Sequence, residues 1–153
     1  ERLCLNFPAD QPVVTELDTL FIEILAIKPL RVLRGKDDYL AIFDNQIQIE
    51  DIQPKLSLLK KINARGLVVS APGNEVDFVS RCFYPEAGIE EDPATGSAHT
   101  MLTPYWAKQF NKEDLEAHQL SKRGGKLNCR LASDRVFISG DSIIYFEGTI
   151  SIV

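Results

Sequence analysis

The residues best suited to chemistry lie in one run, Glu90–Thr100, EEDPATGSAHT. Asp92 is a titratable acid. Gly96 lets a backbone pass close to a ligand, and Ser97 offers a hydroxyl beside it. The apolar residues that follow, Ala98, Met101, Leu102, Tyr105, Trp106 and Phe110, keep close to one helical face. A helix therefore starts in this run, with Thr95 or Asp92 as its cap. The first N–H groups of a helix have no internal partner, and the helix dipole adds positive potential there, which suits a carboxylate or phosphate. An anion hole beside an acid–base group is what proton transfer on a carboxylic acid needs. An ordinary capped helix after a loop would give the same spacing.

Other candidates are weaker. Ser97 as a nucleophile needs a base, and His99, two residues on, points to another side of the helix. His99 reads better as a hydrogen-bonded structural residue. Arg81 is placed either to orient a substrate carboxylate or to steady the Glu90–Asp92 loop. Lys122, Arg123 and Lys126 around Gly124–Gly125 resemble a phosphate loop, but no helix follows, so a plain turn is expected. No His, Asp or Glu cluster has ligand spacing, so no metal is expected.

The elements that must position these residues can be read in order. Residues 2–7 alternate as a half-buried strand, and Pro8–Pro12 break it. Thr15–Leu25 reads as a helix capped by Thr15, with Asp18 at its third position. Leu30–Arg34 and Tyr39–Phe43 form a hairpin across GKDD. Gln46–Ile52 favours strand, and Pro54–Ile62 favours helix. Gly66–Ala71 is a buried strand and Val76–Tyr84 another, feeding the EEDPATGSAHT run. At Pro104 the central helix either kinks, the favoured reading, or gives way to a second helix with Thr103 as cap and Pro104 at its first position. Asp114–Ser121 alternates as a strand, although a short helix capped near Asn111–Asp114 stays open. Lys126–Leu131, Arg135–Ser139, Ser142–Phe146 and the closing GTISIV read as strands. Many short strands and few helices, without regular βαβ alternation, argue for an α+β fold with a mostly antiparallel, strongly curved sheet that encloses the apolar helix.

With 153 residues, one domain with its own core is expected. The net charge is −5 and no basic stripe appears, which argues against nucleic acid and anionic membrane as partners. Cys4, Cys82 and Cys129 form no CxxC pair, so free thiols in a reducing compartment are expected. The longest apolar run, Leu20–Ile27, is interrupted by Glu23, and nothing reads as a signal peptide or a span, so the cytoplasm is the expected location. Glu1 opens a strand already under way, as in a piece of a longer protein.

The order RCFYPEAGIEEDPATGSAHT, PYWA, QLSKRGGKL and RVFISGDSIIYFEGTI resembles the C-terminal half of the phenazine-biosynthesis PhzF-type isomerase family, which has the diaminopimelate epimerase-like fold. The likeness covers nearly the whole chain and is most specific from Arg81 to Ala107. It implies two barrel-like lobes, each a sheet around a central helix, with the active site between them. This chain would be one domain, residues 1–153, forming the C-terminal lobe. The N-terminal lobe would be missing, and a last strand at about 147–153 would cross to it. The resemblance implies no cofactor, a homodimer, and proton transfer within a small carboxylic acid substrate. Asp92 matches the catalytic aspartate. Gly96 and Ser97 match the residues that hold the substrate carboxylate, with Thr95 and Arg81 as further substrate-binding candidates. The principal glutamate and an active-site histidine would belong to the other lobe. Thr100 stands where many members carry cysteine, a difference expected to alter packing. The rival expectation is a non-catalytic small-molecule-binding or scaffold protein that keeps the fold.

Overall fold

A computed structural model describes residues 2–151. Nine strands form one sheet in the order β1-β9-β8-β7-β6-β5-β4-β3-β2. They are β1 (Arg2–Pro8), β2 (Val13–Val14), β3 (Arg31–Arg34), β4 (Asp38–Ile42), β5 (Gly66–Pro72), β6 (Phe78–Phe83), β7 (Asp114–Gln119), β8 (Gly125–Ala132) and β9 (Arg135–Asp141). Among the described residues four α-helices accompany them: α1 (Thr19–Leu25), α2 (Gln46–Asp51), α3 (Leu56–Leu59) and α4 (Gly96–Phe110). All strand pairs are antiparallel except β4 with β5 and β6 with β7. A parallel pair needs a crossover, and here α2 and α3 supply one and α4 the other.

The α4 helix buries Ala98, His99 and every residue from Met101 to Ala107. A helix apolar on all sides must be surrounded. Side chains of seven strands, β3 to β9, share one core cluster with it, so the sheet curves round the helix. The expected α+β fold and its curvature are present. The sheet is not closed into a barrel: β1 and β2 stand at its two edges. On the other face, α1, α2 and α3 pack a second cluster against β3 to β6. Those central strands are covered on both sides, which is why all six residues of β6 are buried.

Several sequence expectations need correction. Residues 46–51 are helical, not a strand. Asn45 caps them by accepting from Gln48 N, and the buried pair is Ile49 and Ile52, at helical spacing, while Ile47 is exposed. The first helix begins at Thr19, because Asp18, not Thr15, caps it by accepting from Leu20 N. The short strand β2 lies just before it, where none was expected. Only Leu56–Leu59 of the 54–62 stretch is helical. In β1, Leu3 and Leu5 are exposed, since this edge strand is paired only with β9. Beyond Asp141, residues 142–151 carry no strand. Asp141 already faces Arg2, so no described residue lies opposite to extend the ladder. Ile152 and Val153, the end of the GTISIV run, lie outside the described residues. Among the described residues no helix is long and apolar enough to cross a membrane.

Pro104 sits inside α4, and the helix runs on through it. Proline has no N–H to give the Thr100 carbonyl. That oxygen accepts from the Asp10 N–H instead, at 3.0 Å.

Candidate active site

After β6 the chain makes a short excursion through a 3-10 turn at Pro85–Ala87 and returns beside its own strand. Tyr84 and Ile89 exchange backbone bonds at 3.0 and 3.1 Å, and Asp92 N donates to Cys82 O at 2.9 Å. Asp92 is thereby held level with the end of β6, directly before α4. Its carboxylate accepts from the Thr95 hydroxyl.

Thr95 occupies the cap position of α4, but its side chain makes no capping bond. The hydroxyl is turned to Asp92, leaving the first N–H groups of α4 available. A Cβ built on Gly96 would meet nothing within 4 Å, so the space above this end is open. Ser97 is exposed beside it, and its Oγ accepts from Arg65 Nη2 at 3.1 Å. The structure thus brings Asp92, Thr95, Gly96 and Ser97 together at one helix end.

Arg81 is not part of this group. Its guanidinium clasps Glu91 through Nε at 2.7 Å and Nη2 at 3.0 Å. Its Nη1 reaches the carbonyls of Ile49 at 3.1 Å and Ile52 at 2.7 Å, at the end of α2. Of the two roles open to it, these contacts describe the one that steadies the loop.

Four residues that sequence reasoning passed over border the site. Arg65 forms a bidentate ion pair with Asp38, which is 4 % exposed. The guanidinium also lies over the Tyr84 ring, 5.1 Å from its centroid. The bonds to Asp38 hold Arg65 firmly cationic, and burial above all keeps the Tyr84 phenol protonated. A cavity of about 400 Å³ opens here, lined by Asp10, Lys36, Arg65, Ser97 and Thr100 among others. Thr100, half-buried, is part of this lining. The fourth residue is Gln119, 1 % exposed, which bonds to both Asp92 and Thr95. The alternation of Leu115, Ala117 and Gln119 marked a polar side chain on a buried face, a signal that it had partners to meet. Arg65 and Asp38 are far apart in sequence and carry no local signal.

His99 lies wholly inside, with Nδ1 2.7 Å from the Thr95 carbonyl. Burial lowers its pKa to about 4, and the bond to Thr95 opposes that only in part. It is a neutral structural group, as expected. Among the described residues no group of three or more His, Cys, Asp or Glu side chains is placed to hold a metal ion.

Residues 13–148 match the family described as phenazine biosynthesis-like protein. The chain belongs to that family. An uncharacterised isomerase of Halalkalibacterium halodurans is 43% identical to this phenazine biosynthesis-like chain over 146 residues, 94% of the chain and 55% of the relative. An uncharacterised isomerase of Pseudomonas aeruginosa is 41% identical over 150 residues, 98% of the chain and 58% of the relative. The crystal structure of a PhzF-family phenazine biosynthesis protein from Enterococcus faecalis superposes with a TM-score of 0.91 at 35% identity, over 99% of this chain and 58% of that one. The phenazine biosynthesis-like chain therefore spans a little over half the length of the relatives it matches.

Proposed function

We propose that this chain is the C-terminal lobe of a cofactor-independent isomerase or epimerase, carrying one half of an active site that lies between two lobes. The observation that supports this most is the Asp92 carboxylate beside the open end of α4, where Gly96 leaves room for a ligand. Two relatives named as isomerases, each nearly twice the length of the matched region, agree with it. The substrate is a small carboxylic acid, dihydro-hydroxyanthranilate-like or amino-acid-like. Its carboxylate rests on the N–H groups at Gly96 and Ser97 and on the Ser97 hydroxyl, with Arg65 adding positive charge. Asp92 gives or takes a proton, and a glutamate of the N-terminal lobe serves as the principal base or acid. The exposed apolar run Ile143–Phe146 supports a segment that crosses to that lobe. By resemblance, the whole protein is a homodimer. Three free cysteines support a cytoplasmic setting.

The test is Asp92→Asn in the complete protein. Candidate acids are incubated in D2O, and deuterium uptake at carbon is followed by NMR. A positioned acid–base group contributes roughly 10²–10⁴-fold, so uptake should fall by that factor with carboxylate binding retained. Undiminished uptake removes Asp92 from the mechanism. A parent protein that binds such acids without exchanging any of them would be a binding or scaffold protein instead.

A further inference from the structure

Gln119 ends β7 on the buried face of that strand. A primary amide buried there must spend its bonds inside the protein. Its Oε1 accepts from Thr95 N at 2.7 Å, while its Nε2 donates to Asp92 O at 2.6 Å and to Thr95 Oγ1 at 3.0 Å. The orientation of the amide follows from these partners. A backbone N–H only donates and a backbone carbonyl only accepts, so the amide oxygen must face Thr95 N and the nitrogen must face Asp92 O.

The remaining amide hydrogen then meets Thr95 Oγ1, which must accept it. The hydroxyl's own hydrogen is left for its other close partner, Oδ2 of Asp92. The Cys82 thiol also interacts with this hydroxyl. Burial pushes the thiol up to about 12, so it stays protonated and is a far weaker acceptor than a carboxylate. Each group settles the direction of the next.

We infer that Gln119 is a positioning residue: it locks the Thr95 hydroxyl as a donor to Oδ2 of Asp92 and so leaves Oδ1 as the oxygen that exchanges a proton with substrate. The same amide ties the Asp92 carbonyl and the Thr95 N–H, so it fixes the backbone on both sides of Pro93–Ala94 as well. This inference rests on the reading of Asp92 as a proton-handling group.

The Thr95 hydroxyl proton reports the lock without any substrate. In the 153-residue chain labelled with 13C and 15N, that buried proton should exchange slowly and give a downfield resonance with cross-peaks to the Asp92 Hβ protons. Gln119→Glu keeps the shape but replaces the donor with an acceptor. At neutral pH the hydroxyl should turn to the new carboxylate, and the cross-peaks to Asp92 should be lost. Cross-peaks to Asp92 that persist unchanged in Gln119→Glu overturn the inference. So does an unaltered chain in which the hydroxyl proton shows no contact with Asp92, a result that needs no variant to fold. Normal turnover in Asp92→Asn is a different failure: it defeats the proton-handling role and leaves the lock in place.

Discussion

Arg81 offers the sharpest measurement, because its two readings predict opposite outcomes. Its side chain is 10% exposed, and that of its partner Glu91 is 24% exposed. Arg81→Met fills much of the same volume but removes every donor. Glu91 then loses both bonds of its ion pair, and the carbonyls of Ile49 and Ile52 lose theirs. Breaking a buried pair from one side costs about 3–5 kcal/mol. The partial exposure of Glu91 lets water recover some of that, which places the loss at roughly 3–4 kcal/mol. For a domain of this size each kcal/mol lowers the melting temperature by roughly 2–4 °C, so a fall of about 6–16 °C is expected. Glu91→Gln keeps an acceptor and the shape, and should cost only about 1 kcal/mol. Thermal unfolding followed by circular dichroism reads both variants. Hydrogen exchange at Asp92 N should quicken in Arg81→Met, because the loop it steadies carries that amide to Cys82 O. An Arg81→Met chain that melts within about 2 °C of the parent would refute the buttress argument and return Arg81 to the substrate side.

His99 should make the fold sensitive to acid. Its folded value near 4 lies below the unfolded value of about 6.5, so between these the unfolded chain holds more protons. Stability is complete above about pH 6.5 and should fall by about 3 kcal/mol as pH drops through 4. Urea midpoints at pH 7 and 4.5 measure this, and His99→Gln should flatten that part of the profile; equal slopes would count against it. The cysteines should separate by reactivity. Burial raises Cys82 to about 12 and Cys129 to about 11, whereas Cys4 is exposed. Iodoacetamide should add one label to the folded chain, at Cys4, and three to the unfolded chain, counted by mass spectrometry. Rapid labelling of Cys82 in the folded state would contradict its burial.

Periodicity served where one element met one environment. Leu115, Ala117 and Gln119 are buried in alternation, and β7 is a strand. The apolar surface of α4 was equally plain. It failed at 46–51, where Ile47 and Ile49 imitate a strand. There the Asn45 cap and the Ile49–Ile52 spacing decide the outcome, and the first turn of a helix is a stronger constraint than two alternating residues. It failed again at 142–146, because strand propensity is realised only against a neighbouring strand. In the site, Asp92, Gly96 and Ser97 were visible because they are contiguous. Arg65 and Asp38 were not, since their ion pair is made by the parallel pairing of β4 and β5, which sets Asp38 opposite Gly66.

Pro104 takes one rung out of the hydrogen-bond ladder of α4, and the helix is completed from outside. The vacated Thr100 carbonyl is filled by the backbone of Asp10, in the connection between β1 and β2. The helix that carries Ser97 therefore closes its ladder only once that remote connection has arrived, and the missing donor acts as an address for it. A backbone amide makes the bond, and every residue except proline has one. Side chains along that connection can thus change while its backbone stays in register with α4.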